Sequence, residues 1–179
     1  MKTLRLIVID AEILAAGRQS HAVLSSKLGA LVDPADEFVV PILEQSATLL
    51  ASKPRAPEWG CFLAIDDEAG RVVGFCGYKD GPAADGSVEV AYFTFPQFEG
   101  RYHATAMAAE LLARAGRRRV IAHTLPERNA SCRVLEKAGF VFIGDVVDPE
   151  DGPVWHWAAE GVESSAILPA TDLGILPPA

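Results

Sequence analysis

Residues 95–105 read Phe95-Pro96-Gln97-Phe98-Glu99-Gly100-Arg101-Tyr102-His103-Ala104-Thr105 and lie between two segments of different periodicity. Upstream, Val88 to Phe95 alternates like a strand, with Glu89, Ala91 and Phe93 on one face and Val88, Val90 and Tyr92 on the other. Downstream, Ala104, Met107, Ala108, Leu111, Leu112 and Ala115 form a stripe at helical spacing that stops at Gly116. A strand running into a helix gathers unpaired backbone N–H groups and the positive end of the helix dipole at one point, which suits an anion. On local physics alone, an ordinary strand-to-helix turn reads equally well.

Outward from this junction the chain alternates strands and helices. Leu4 to Ile9 reads as a strand, and Asp10 offers an N-cap for one helical stretch running to Leu28 before Gly29. Asp33-Pro34 announces a second helix, with Val39, Ile42, Leu43, Leu49 and Leu50 on its apolar face and Pro54 and Pro57 at its end. Cys61 to Ile65 and Arg71 to Tyr78 are short apolar runs joined by Asp66-Asp67-Glu68-Ala69-Gly70, a hairpin connection. Beyond the central helix, Val120 to Thr124 reads as a buried strand and Asn129 to Ala138 as a short helix closed by Gly139. Phe140 to Asp145 and Val154 to Ala158 read as closing strands. The expected fold class is α/β (α+β), one domain over residues 1–160 with a C-terminal extension at 161–179.

Composition narrows the partners. Of 179 residues half are apolar, enough for a sizeable core, and 24 acidic against 16 basic side chains give a formal net charge of −8. That balance speaks against a nucleic-acid or anionic-membrane surface, which needs clustered positive charge, and suits a cationic or neutral partner. The basic run Arg117 to Arg119 follows a helix end, where cations complement the dipole. Cys61, Cys76 and Cys132 are odd in number and lack metal-type spacing, so they read as reduced thiols, with no metal expected. The N-terminus has no signal-like apolar run and no segment is long enough to span a membrane, so a cytoplasmic protein is expected.

The segment Asn129-Ala130-Ser131-Cys132-Arg133-Val134-Leu135-Glu136-Lys137-Ala138-Gly139-Phe140 follows the strand carrying Ala122, His123 and Thr124. Together with the 95–105 loop, Gly77-Tyr78-Lys79-Asp80-Gly81-Pro82, Gly86, Val88, Glu89 and Tyr92, it resembles the GNAT superfamily. The likeness is to the branch of the ribosomal-protein N-terminal acetyltransferases, close over Trp59 to Trp157 and loose over the first two helices. The resemblance implies a mixed, mostly antiparallel sheet of about seven strands flanked by about four helices and splayed between its fourth and fifth strands. It implies acetyl-CoA wedged in that opening, with its pyrophosphate on the loop before the central helix. An amine acceptor follows: a peptide N-terminus, polyamine, amino acid or antibiotic. A homodimer is compatible with it.

In the family the loop carries Gln or Arg, two residues, Gly, one residue, then Gly or Ala; here those positions are Glu99, Tyr102 and Ala104. Two depart. A positive φ at Tyr102 would cost roughly 1–2 kcal/mol, and its ring is expected to crowd the space where backbone meets phosphate. Gly100, Arg101, Ala104, Thr105 and a donor from His103 remain to form the cradle, with Phe93 and Thr94 completing the implied cofactor set.

Attack of a neutral amine on a thioester needs positioning, a proton acceptor and stabilisation of the developing oxyanion. A lysine-like amine needs about 4 kcal/mol to be neutral near pH 7.4 and an α-amine under about 1, so a strong base is optional for N-terminal substrates. Glu89, at the start of the strand lining the cleft, is the expected base, directly or through water; a surface carboxylate is the other reading. Asn129 and Ser131 match the family's residues that hold the pantetheine arm, and Ser131 is placed to protonate the leaving thiolate; capping of the short helix is the other reading. Many relatives place a thiol-protonating tyrosine where this chain has Leu135. Arg133 reaches for the phosphates or forms a surface ion pair. Cys132 reads as a packed thiol, His123 and His156 as structural histidines, and Trp59, Trp155 and Trp157 as core or cleft-wall rings. Two rival functions remain: a catalytically weakened acyl-CoA-binding or protein-interaction module, and an enzyme using another acyl-CoA such as succinyl-CoA.

Overall fold

The computed structural model describes residues 3–149 and 151–160; the expected extension at 161–179 lies outside the described residues. Strand β1 (Arg5–Val8) leads into α1 (Ala11–Gln19), whose first amides are capped by the Asp10 carboxylate. The single helix expected up to Leu28 is two: Ser20 adopts extended backbone, and its hydroxyl accepts from Val23 N–H to start α2 (His21–Leu28). Serine's short side chain competes for backbone donors, so it can close one helix and open the next. Five α-helices therefore stand where about four were expected. Helix α3 (Val39–Ser52) begins later than Asp33-Pro34 suggested, because Asp36 rather than Asp33 accepts from the Phe38 and Val39 amides.

Next come β2 (Cys61–Asp66), β3 (Arg71–Tyr78) and β4 (Val88–Thr94), then α4 (His103–Arg114) and β5 (Arg119–Thr124). Helix α5 (Ala130–Ala138), β6 (Val141–Asp148) and β7 (Gly152–Glu160) complete the described chain. The seven strands form one sheet in the order β1-β2-β3-β4-β5-β7-β6. All neighbours are antiparallel except β4 and β5. A parallel pair needs a crossover, which α4 supplies.

That parallel pairing consists of Val88 opposite Val120 and Glu89 opposite Ile121, after which the ladder stops. Residues 90–94 and 122–124 continue as strands without pairing to each other, so the sheet opens into a V with Glu89 at its vertex. Met107, Ala108 and Leu111 of α4 are wholly buried, and the Tyr78 hydroxyl donates to the Leu111 carbonyl at 2.7 Å, tying the helix to β3. Helix α5 buries Cys132 and Leu135. Trp157 Nε1 donates to Thr124 Oγ1 at 3.1 Å within that layer. Gly74 shows how closely strands approach beside the V: a Cβ there would lie 2.3 Å from the Phe93 carbonyl oxygen and 3.2 Å from Met107 Cε. Among the described residues no helix is long and apolar enough to cross a membrane.

Candidate active site

The open side of the V meets the start of α4. After β4 the chain makes a 3-10 turn at Pro96–Phe98, then passes through two left-handed residues, Gly100 at φ 71° and Tyr102 at φ 67°. Tyr102 is the only non-glycine residue with positive φ among those described, so the strained backbone expected at this position is present. Tyr102 is 64% exposed and lines the cleft described below, its ring centroid 4.8 Å from Lys137 Nζ of the facing helix. Because the strain exists in the ligand-free fold, relieving it acts on stability. Tyr102→Gly is expected to raise the melting temperature by about 2–4 °C, the equivalent of about 1 kcal/mol in a chain of this size, in a thermal unfolding scan.

Helices α1, α2 and α5 each begin with a side-chain acceptor from Asp10, Ser20 and Asn129, and α3 has Asp36. Helix α4 has no side-chain cap. Its first helical bond runs from Ala106 N–H to the Tyr102 carbonyl, which leaves the amides of His103, Ala104 and Thr105 without a helical acceptor. These donors face a cleft of about 420 Å³ whose walls are the end of β4, the loop and one face of α5.

Ten of the expected residues line it: Phe93, Thr94, Glu99, Gly100, Tyr102, His103, Ala104, Thr105, Ser131 and Arg133. Three do not. Asn129 spends its side-chain oxygen on Cys132 N–H at 3.1 Å, the capping role. Arg101 faces a separate concavity beside Asp33, Arg71 and Gln97. Glu89 lies at the vertex and lines a separate cavity of about 290 Å³ with Lys79, Asp80, Ile121 and Asp148. It is no surface carboxylate: its side chain is 19% exposed and Oε1 accepts from Lys79 Nζ at 2.7 Å and His123 Nδ1 at 2.9 Å.

His103 lines the cleft through its backbone, because its ring is turned inward and almost fully buried. Nδ1 meets the Phe98 carbonyl at 3.0 Å and Nε2 meets Asp66 Oδ2 at 3.1 Å, so the ring pins the loop to the end of β2 and offers no donor to the cleft. The buried Thr94 hydroxyl, by contrast, has no hydrogen-bond partner among the described residues. A polar atom left so costs about 1–3 kcal/mol, which a ligand in the cleft can recover. Sequence reasoning missed Lys137, which follows Arg133 by one helical turn and lines the same wall, although the i, i+4 spacing was there to read. It also left Tyr92 unassigned; burial, with a smaller push from Cys132, drives that phenol's pKa well up, so it stays protonated on the cleft wall. Cys132 is wholly buried. Among the described residues no group of three or more His, Cys, Asp or Glu side chains is placed to hold a metal ion.

Residues 10–141 match the acetyltransferase (GNAT) domain family. The chain belongs to the GNAT acetyltransferases. No curated protein matches the sequence. Solved structures share the fold at low identity. A spermidine N-acetyltransferase from Vibrio cholerae, in complex with CoA and spermine, superposes with a TM-score of 0.59 at 14% identity over 90% of this chain and 97% of that one. The ribosomal-protein alpha-N-acetyltransferase RimL, in complex with coenzyme A, gives 0.60 at 16% identity over 89% and 95%. An aminoglycoside acetyltransferase in complex with coenzyme A and kanamycin gives 0.55 at 16% identity over 88% and 94%. The seven-stranded sheet opened between β4 and β5 is the GNAT fold, and this chain is an N-acetyltransferase of that type.

Proposed function

We propose that this GNAT enzyme transfers an acetyl group from acetyl-CoA to a primary amine by direct attack in a ternary complex. The uncapped start of α4, facing the cleft between β4 and α5, is the observation that carries the reading. Free amides at a helix N-terminus bind phosphate through charge-assisted hydrogen bonds and the helix dipole. The amides of His103, Ala104 and Thr105 would hold the pyrophosphate, with Gly100 keeping the loop open and Arg133 and Lys137 adding positive charge. Thr94 and Ser131, on opposite walls, would bond the pantetheine arm. Acetyl-CoA supplies an activated thioester carbonyl; the protein supplies position and a place for the proton.

The acceptor would approach through the smaller cavity, which Glu89, Asp80 and Asp148 border. The three carboxylates outnumber Lys53 and Lys79, which line the same cavity and pair with Asp80 and Glu89, so a net negative charge is left for a cationic amine, in keeping with the net charge of −8. Structural neighbours named for spermidine, ribosomal protein and aminoglycoside acetylation support an amine class without choosing among them.

Calorimetric titration with acetyl-CoA, CoA and succinyl-CoA, followed by thiol release with a panel of polyamines, aminoglycosides and peptide N-termini, tests the reading. Micromolar acetyl-CoA binding with turnover of one amine class is expected; no binding below millimolar defeats it. The Thr94 hydroxyl gives a sharper check, because its two effects have opposite signs. Thr94→Val removes an unpaired buried group and is expected to stabilise the ligand-free protein by about 1 kcal/mol while weakening acetyl-CoA binding several-fold. Denaturant unfolding and calorimetry on the same variant measure both.

A further inference from the structure

Glu89, His123 and His156 stand on one face of the sheet, on the neighbouring strands β4, β5 and β7. Glu89 opposes Ile121 in the last parallel pair, His123 lies two residues along β5 on the same face, and His156 is its direct partner on β7. Glu89 Oε1 meets His123 Nδ1 at 2.9 Å, and His123 Nε2 meets His156 Nδ1 at 2.9 Å. The ring centroids are 5.0 Å apart and the His123 side chain is 12% exposed.

Hydrogen-bond chemistry fixes the proton positions along this chain. A carboxylate only accepts, so His123 carries its hydrogen on Nδ1. The lone pair of neutral His123 is then on Nε2, and the hydrogen between the rings belongs to His156 Nδ1. One imidazole lone pair remains for the whole chain, on His156 Nε2. Gly144 on β6 sits opposite His156 and puts no side chain over it.

Resting on the amine-acetylation reading above, we propose that His156 Nε2 is the proton acceptor of this reaction, with His123 taking the relayed proton from His156 and Glu89 as the positioning anion. Imidazole is intrinsically the better base than carboxylate by about two pKa units, and Glu89 is already engaged by Lys79. As the amine nitrogen bonds the acetyl carbon, the carbon–sulfur bond breaks and one N–H proton passes through water to His156 Nε2. The Nδ1 proton of His156 can then shift to His123 Nε2, bringing the positive charge beside Glu89. The departing thiolate takes one proton from solvent water and the imidazolium pair returns its proton to solvent, so the count balances.

The groups around the pair are Glu89 from β4, Arg119 from β5, and Lys79 and Asp151 beyond Glu89. Burial first, then His123 and Arg119, hold the His156 pKa below its ordinary value against the opposing pull of Glu89. A neutral, proton-accepting ring near pH 7 is the result.

The pH dependence of kcat/KM tests this, with coenzyme A calorimetry showing that each variant keeps its cofactor cleft. Wild type is expected to rise with pH through one imidazole-like limb to a plateau. His156→Gln should lose that limb and about 10²–10³-fold in kcat at unchanged coenzyme A affinity, and His123→Gln should behave alike. Glu89→Gln should lose only about tenfold and move the limb to lower pH, because the anion that favours imidazolium is gone. Nitrogen-15 spectra of wild type should show both histidines as Nδ1–H tautomers; a hydrogen on His156 Nε2 at neutral pH overturns the proposal. If His156→Gln, or His156→Asn should the first variant unfold, keeps rate and limb while Glu89→Gln loses both, the carboxylate is the base and the proposal is wrong. Failure of wild type to acetylate any amine defeats the transfer reading itself, an outcome distinct from active wild type with a dispensable His156.

Discussion

His103→Ala is expected to lower unfolding free energy by about 3–5 kcal/mol, the usual loss when one partner of a buried, hydrogen-bonded ionisable pair is removed. His103 and Asp66 are almost fully buried at 1% and 2% side-chain exposure, and the alanine leaves the Asp66 carboxylate enclosed without its ring partner. In a chain of this size that is a fall of about 10 °C in melting temperature. The same ring holds the Phe98 carbonyl, so the loop between β4 and α4 loosens as well, and acetyl-CoA affinity should fall about tenfold. Changing both partners to apolar residues, His103→Leu with Asp66→Leu, should recover most of the stability, since no buried carboxylate is then left without its ring partner. Affinity should recover less, because the anchor on Phe98 stays missing. Thermal scans and calorimetry on the single and double variants separate the two effects. A surface-like change under about 1 kcal/mol in His103→Ala would show that the ring does not brace the loop.

Reversing both cations on the cleft-facing side of α5 is expected to weaken coenzyme A binding about 100-fold. Arg133 and Lys137 are one helical turn apart, and both line the cleft. Each charge-assisted bond to phosphate contributes about 1.5 kcal/mol at an exposed site, so Arg133→Glu with Lys137→Glu loses about 3 kcal/mol. Wild-type affinity should fall with added salt, whereas the double variant should be nearly flat or reversed in its salt response. Arg118→Glu is the control: that guanidinium lies 5.1 Å over the Trp59 ring beyond the C-terminal end of α4, a helix length from the loop, and its reversal should leave affinity within threefold. An equal loss in the control would mean that net charge, not the cleft, governs binding.

Much of the fold was legible because the signals are local. The stripe from Met107 to Ala115, the alternation through Val88 to Thr94, the caps at Asp10 and Asn129 and the left-handed Gly139 all concern neighbours within a few residues. The residues of the main cleft were legible for the same reason, since it is built largely from two continuous segments, the loop after β4 and the start of α5. Misreadings arose where one residue had two local uses. Ser20 reads as a tolerable helix residue until its hydroxyl takes Val23 N–H, and Asp33 reads as the start of α3 until Asp36 takes the Phe38 and Val39 amides.

What the sequence determined by itself was the run of strands and helices and the family to which the Asn129–Phe140 block points; the left-handed backbone at Tyr102 was only a condition the family's loop pattern raised, and the structure meets it. Tertiary structure alone decided which side chains meet across the sheet. Glu89 and His123 are 34 residues apart, His123 and His156 are 33, and Asp66 and His103 are 37. Periodicity gives each of these residues a face but says nothing of which strand lies beside it. Once the order β4-β5-β7 is set, the two-residue period brings Glu89, His123 and His156 to one face, and hydrogen bonding across that face turns two apparently structural histidines into a proton path.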